Sequence, residues 1–161
     1  MKEIIYLEGD ATLPLISGNI IIAHVCNDIG AWGKGFVLSL SRRWREPEES
    51  YRQWYKHRHH NDFFLSNIKL VQVEPTIYVA NMIAQQGIGM KNNIPPIRYF
   101  KLESCLMKLA AHAEVLEATI HMPRIGCGLA GGKWEKIEPL IIDQLCKHDI
   151  QVYVYDYPTS K

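Results

Sequence analysis

Paired cysteines, long apolar runs, repeats and a dominant charge are all missing from this sequence of 161 residues. Its four cysteines, Cys26, Cys105, Cys127 and Cys146, stand far apart, and no C-x-x-C pair offers the spacing of a zinc site or a dithiol couple. The expectation is free thiols in a reducing compartment, with no metal and no cofactor. Apolar runs such as Ile20 to Ala23 and Ile150 to Tyr155 are far shorter than a bilayer span. Met1-Lys2-Glu3 leads straight into a strand pattern rather than a signal peptide, so a cytoplasmic chain without a membrane partner is expected. A net charge of +1 provides no global field for polyanions. The one basic stretch, Arg42 to His60, is interrupted by Glu46, Glu48 and Glu49, which argues against general nucleic-acid binding. A monomer is expected.

What is present reads as one α/β domain over residues 1–161. Hydrophobic residues at 47% and charged residues at 22% are ordinary for a soluble domain with a proper core. Strand patterns run from Glu3 to Leu7, Asn19 to His24, Ile68 to Glu74, Thr76 to Ala84, Ala118 to Met122 and Ile150 to Tyr155. Pro14 to Gly18 reads as a turn or short helical piece. Helical spacing of Phe36, Val37, Leu40 and Trp44 predicts one helix, and Pro47 opens a second carrying Tyr51, Trp54 and Tyr55. Leu102, Cys105, Leu106, Leu109 and Ala113 form the seam of a long helix from about Arg98 to Leu116, and a last helix begins near Trp134. Strands separated by helices imply a mixed sheet of about six strands covered on both faces, a three-layer α/β/α sandwich with ligands beyond the strand ends.

Two loops are rich in glycine. The segment Pro123-Arg124-Ile125-Gly126-Cys127-Gly128-Leu129-Ala130-Gly131-Gly132 formally satisfies G-x-G-x-x-G between a strand and a helix. A dinucleotide-binding unit begins its domain with this loop, whereas only one helix and one strand remain here, so a Rossmann reading is rejected. The glycines retain their physical meaning: without Cβ they let backbone N–H groups and a helix N-terminus approach phosphate oxygens. The loop is expected to cradle a diphosphate.

The second such loop, from His24-Val25-Cys26-Asn27-Asp28 through Gly30, Trp32, Gly33, Lys34, Gly35 and Phe36, also follows a strand and opens a helix. It is no P-loop, because Lys34 is followed by Gly35 rather than Ser or Thr. Asn27 offers both donor and acceptor groups to ribose hydroxyls, and Asp28 can act as an acceptor or base, with loop capping as its alternative. Asp10 either accepts from an adenine amine or caps Ala11-Thr12-Leu13. His24 is read as a core histidine or as a catalytic group at the strand end. Cys26 and Cys127 are expected to be packing residues, and His57, His59 and His60 a solvated helix end.

Taken together, Gly9-Asp10-Ala11-Thr12, His24-Val25-Cys26-Asn27 with Gly33-Lys34-Gly35, and Pro123 to Leu129 resemble the macrodomain family over nearly the whole chain. The resemblance is nearest to the branch of the terminal ADP-ribose protein glycohydrolase and the macrodomain antitoxins. It implies ADP-ribose, or an ADP-ribosylated macromolecule, as partner. Asp10 and Ala11 would then lie at adenine, Asn27 at the distal ribose, and Gly30 to Phe36 with Arg124, Ile125 and Gly126 to Gly131 around the diphosphate. Trp32 would wall the cleft. Family members hydrolyse ADP-ribose derivatives, among them mono-ADP-ribosyl esters, O-acetyl-ADP-ribose and ADP-ribose 1''-phosphate, whereas others only read the modification. The His-x-Cys-Asn arrangement also resembles the yeast-type phosphatases, which adds His24 to Asn27 and Asp28 as a catalytic candidate. Where the glycohydrolases carry a lysine and an aspartate, this chain has Gln85 and Ala130, and Lys91 lies nearby in a loop.

Overall fold

The computed structural model describes residues 1–158. Six strands, β1 (Ile5–Glu8), β2 (Ile20–Asn27), β3 (Ile68–Glu74), β4 (Ile77–Gln85), β5 (Thr119–Met122) and β6 (Val152–Asp156), form one sheet in the order β1-β6-β5-β2-β4-β3. All neighbours pair in parallel except β3, an antiparallel edge strand joined to β4 by a tight connection. Among the described residues the four α-helices are α1 (Phe36–Arg43), α2 (Glu46–Lys56), α3 (Tyr99–Leu116) and α4 (Trp134–Gln144). The α/β sandwich read from the sequence is the observed architecture. Among the described residues no helix is long and apolar enough to cross a membrane.

Strand alternation explains the two layers of core. Ile21 and Ala23 of β2, Ala80 and Met82 of β4, Ile120 and Met122 of β5, and Val152 and Val154 of β6 meet the apolar seam of α3 and the Ile137 and Ile141 side of α4. On the opposite face Ile20, Ile22, Cys26, Val79 and Ile83 meet Leu40 of α1, Tyr51 and Trp54 of α2, and Phe63. Burying each such Leu or Ile is worth about 1.5–3 kcal/mol, so the central strands β2 and β4 anchor the domain.

The sequence reading differs from the structure in two places. Strand β2 continues past His24 to Asn27, so Val25, Cys26 and Asn27 are strand residues rather than loop residues. The physical reason is pairing: His24 and Cys26 alternate inward, and Asn27 stays in register with Gln85 across a bulge. Residues 14–18 form no helix; this irregular segment is part of the connection from β1 to β2 past β6 and β5.

Candidate functional site

The five parallel strands release their C-terminal ends along one sheet edge, where ligands bind in open α/β sheets. There β1 ends at Gly9-Asp10, β2 at Asp28, β5 at Pro123-Arg124 and β6 at Asp156-Tyr157. All of these but Asp28 line a cleft of about 510 Å³, completed by Ala11, Gly35, Phe36, Ser39, Arg42 and Tyr155; Asn27, Asp28, Gly30, Gly33 and residues 125–131 lie outside its lining.

Asn27 organises the first loop. Its Oδ1 accepts from the amides of Ile29 (3.0 Å) and Ala31 (3.1 Å) and from the Tyr51 hydroxyl (2.8 Å), while Nδ2 donates to the Ala31 carbonyl at 2.8 Å. One Nδ2 hydrogen is left for anything outside the loop. Gly30 lies close against Tyr55, where a Cβ would come within 2.4 Å of a ring carbon. The loop then opens α1 through Gly35, at φ 82°, with no side-chain cap and no acidic residue in the first turn. Leu38 N–H donates to Gly35 O at 3.1 Å, which leaves the Phe36 and Val37 amides without an acceptor among the described residues, an arrangement that favours an anion.

The second loop is pinned to the core at both ends. Ile125 and Ala130 are buried, the Ala130 carbonyl accepts from the Ile97 amide at 3.1 Å, and Gly132 N–H donates to Gly126 O at 2.7 Å. Between these anchors the amides of Gly128, Leu129 and Ala130 find no acceptor among the described residues. The two loops meet where the Leu129 side chain stands 3.6 Å from the position a Cβ would take on Gly35. Gly33 and Gly128 share a property unique among the chain's glycines: their φ is not positive, and a Cβ would have no protein atom within 4 Å. Nothing in the fold requires glycine there.

The acids sit at opposite ends. Asp10 Oδ1 accepts from the Thr12 amide at 2.8 Å and the Thr12 hydroxyl at 2.7 Å, so one oxygen caps the turn. Its Oδ2 has no partner among the described residues, and Asp10 lines the cleft. Both roles open in the sequence are thus structurally compatible, one for each oxygen. Asp28 Oδ1 accepts from Gly87 N–H at 2.7 Å, which ties the end of β2 to the loop after β4. That loop is closed by Arg98, which donates to the carbonyls of Pro95, Pro96 and Ile97.

The candidates weighed in the sequence fall both inside and outside the cleft. His24 is 2% exposed, with Nε2 2.5 Å from Asn81 Oδ1 and its ring packed edge-on against Trp32, and burial pushes its pKa down to about 4. It is a neutral core histidine that does not reach the cleft. Trp32 does not wall the cleft either; its ring packs on Tyr51 and its indole N–H donates to Ser41 at 2.8 Å. Arg124 lines the cleft but is held by Asp156 through Nε at 2.6 Å and a second nitrogen at 3.0 Å, and lies over the rings of Tyr6 and Trp134. Asp156 holds the Arg124 pKa above its ordinary value, and the guanidinium lowers that of Asp156. Lys34 and Lys91 are solvent-exposed. Burial raises the pKa of Cys26 and of Cys127, so neither is a thiolate near neutral pH. Among the described residues no cluster of His, Cys, Asp and Glu has the form of a metal site.

Ser39, Arg42, Tyr155, Asp156 and Tyr157 line the cleft without having been singled out by sequence. The signal available for the last three was their position: they end a strand on the same edge as Asp10 and Arg124. For Ser39 and Arg42 it was helical spacing, since they follow Phe36 of the first loop at intervals of three residues.

No family model matches the chain. A solved structure of a macrodomain protein from Streptomyces coelicolor is 52% identical, with a TM-score of 0.87 over 97% of this chain and 100% of that one. A curated ADP-ribose 1''-phosphate phosphatase of the yeast Lodderomyces elongisporus is 28% identical over 94% of this chain and 98% of its own length. The mouse chromodomain-helicase-DNA-binding protein 1-like is 29% identical over 97% of this chain, which spans 18% of that longer protein.

Proposed function

From the premise that this chain belongs to the macrodomain family, we propose that its cleft binds ADP-ribose and hydrolyses a derivative substituted on the distal ribose. The carrying observation is the pair Gly33 and Gly128, one in each loop, whose missing Cβ atoms leave space that the protein itself does not use. A diphosphate set between the loops would accept from the free amides at the start of α1 and from those of Gly128 to Ala130. Asp10 Oδ2 would take the adenine amine at the β1 end of the cleft. The distal ribose would then lie toward Asn27 and Asp28, with the remaining Nδ2 hydrogen of Asn27 as donor.

The chemistry assigned to this site needs no strong nucleophile. Cleavage at the anomeric carbon passes through an oxocarbenium-like state, so a site works by placing water and charge beside the bond. Asp28 Oδ2 would orient the water; water oxygen goes to the anomeric carbon, and its proton leaves with the departing group, phosphate in the case of ADP-ribose 1''-phosphate. The full-length likeness to the yeast phosphatase makes that ester the first substrate to try. The experiment is calorimetric titration with ADP-ribose against AMP and ADP, followed by turnover of the ester. Selective binding of ADP-ribose and a loss of turnover of about a hundredfold in Asp28→Ala, with little change in Kd, are expected. Unchanged turnover would remove Asp28 from the reaction.

A reader without catalytic activity is the second reading, favoured by Gln85 and Ala130. Both are buried, and Gln85 spends its amide on Gly87 O at 3.0 Å. Multiple turnovers at substoichiometric protein would eliminate it.

A further inference from the structure

On the α3 and α4 side, β5 and β6 present only apolar side chains, Ile120, Met122, Val152 and Val154. Their other side carries a polar chain instead. His121, fully buried, has Nε2 2.8 Å from Thr119 Oγ1 and Nδ1 2.8 Å from the Tyr155 hydroxyl, and its ring stacks on Tyr153 at 4.8 Å. Because Thr and Tyr hydroxyls can each donate or accept, either neutral tautomer of His121 satisfies both bonds. A buried polar chain that is fully satisfied fixes geometry in a way that apolar packing does not.

What this chain fixes is part of the cleft. Tyr155 lies two residues closer to the site edge than Tyr153, on the same face of the strand, and lines the cleft beside Gly9 and Asp10. Its ring stands 3.7 Å from the position a Cβ would take on Gly9, whose amide donates to Asp156 O at 2.9 Å. The next turn, closed by the Asp10–Thr12 bonds, leaves Asp10 Oδ2 free.

We propose that His121 is a positioning residue for base selectivity: by holding the Tyr155 hydroxyl it fixes the Gly9–Asp10 turn and the direction of Asp10 Oδ2, favouring an amino-purine over an oxo-purine. The inference rests on the reading that Asp10 meets the purine amine. An adenine amine donates to that oxygen, whereas the hypoxanthine carbonyl presents an acceptor and is repelled. Loosening the wall lets the turn relax and blunts this distinction before it abolishes binding.

The test compares Kd values for ADP-ribose and its hypoxanthine analogue in the wild type, Tyr155→Phe, His121→Leu and His121→Asn. Wild type is expected to prefer ADP-ribose by about a hundredfold, a preference cut to about tenfold or less in Tyr155→Phe and His121→Leu. His121→Asn keeps an amide near the Nδ1 position and should recover part of the ratio. If both affinities fall together and the ratio holds, His121 is only structural and the proposal fails. Should His121→Leu not fold, Tyr155→Phe, which keeps the ring, decides alone. A wild type that binds no ADP-ribose overturns the cleft reading itself, and one that binds both ligands equally overturns the Asp10 assignment and this inference with it.

Discussion

The two glycine loops look alike in sequence and differ in what their glycines do. In the first, Gly30 is demanded by the Tyr55 ring, and the loop is held from within by Asn27. In the second, the anchors are outside the loop: Gly131 faces Pro95, Gly132 faces the Gly126 carbonyl, and Ile125 and Ala130 dip into the core. Each loop nevertheless keeps one glycine, Gly33 or Gly128, that packing does not explain. The difference teaches that a glycine-rich motif mixes two requirements, close approach of protein to protein and close approach of something else. Each loop also rests near a buried histidine, His24 under Trp32 in the first case and His121 on the strand that feeds the second.

The largest test strikes both loops at once. Burial lowers the pKa of His24 and His121 from 6.5 to about 4, so between those values the unfolded chain binds more protons than the native one. Stability from these groups is complete above pH 6.5 and is lost as pH falls toward 4, by up to about 3 kcal/mol for each histidine. Urea unfolding across this range should show it, and His24→Gln or His121→Gln should each flatten the slope by about one proton. If only one substitution does so, the two loops do not share this support.

Next in size is Gly30→Ala, which places a methyl 2.4 Å from a Tyr55 ring carbon at φ 75°. A loss of about 2–4 kcal/mol is expected from chemical denaturation. A variant as stable as the wild type would show that the first loop yields as readily as an open turn.

Gly128→Ala sharpens the contrast, because it should leave stability within about 0.5–1 kcal/mol of wild type, on the favourable side. ADP-ribose affinity should nevertheless drop about tenfold to a hundredfold as the methyl displaces a phosphate oxygen from the amides. Undiminished affinity, measured by calorimetry on the same sample, would return Gly128 to the class of accidental turn glycines.

Asp10→Asn carries the smallest effect, about tenfold in affinity, since one of the two oxygens serves the Thr12 cap and the amide can still accept there. An effect as large as that of Gly128→Ala would mean that the β1 end, not the loops, dominates recognition.

Much of this architecture was legible without coordinates. Short β-branched runs such as Ile20 to Ala23 and the seam Leu102-Cys105-Leu106-Leu109 place strands and helices within a few residues, because both signals arise between near neighbours in the chain. For the site the sequence offered two loops and one acid, of which Asp10, Ala11, Gly35, Phe36 and Arg124 line the cleft. The places where reading stopped are equally specific. Asn27 looks like a ligand group until Tyr51 and the loop amides occupy its oxygen, and Trp32 looks like a wall until Ser41 and Tyr51 draw it inward. His121 carried no signal, being one histidine in a short strand.

By itself the sequence determined the order of elements, the α/β class, the position of both glycine loops at strand ends and the separation of the four cysteines. Tertiary structure alone decided which glycines serve packing, which oxygen of Asp10 is free, that His24 is sealed in the core and that Tyr155 joins His121 to the cleft. The reason is range. Strand and helix periodicity arises between residues a few positions apart, whereas Asp28 with Gly87, His24 with Asn81 and His121 with Tyr155 meet across long stretches of chain that only the folded sheet brings together.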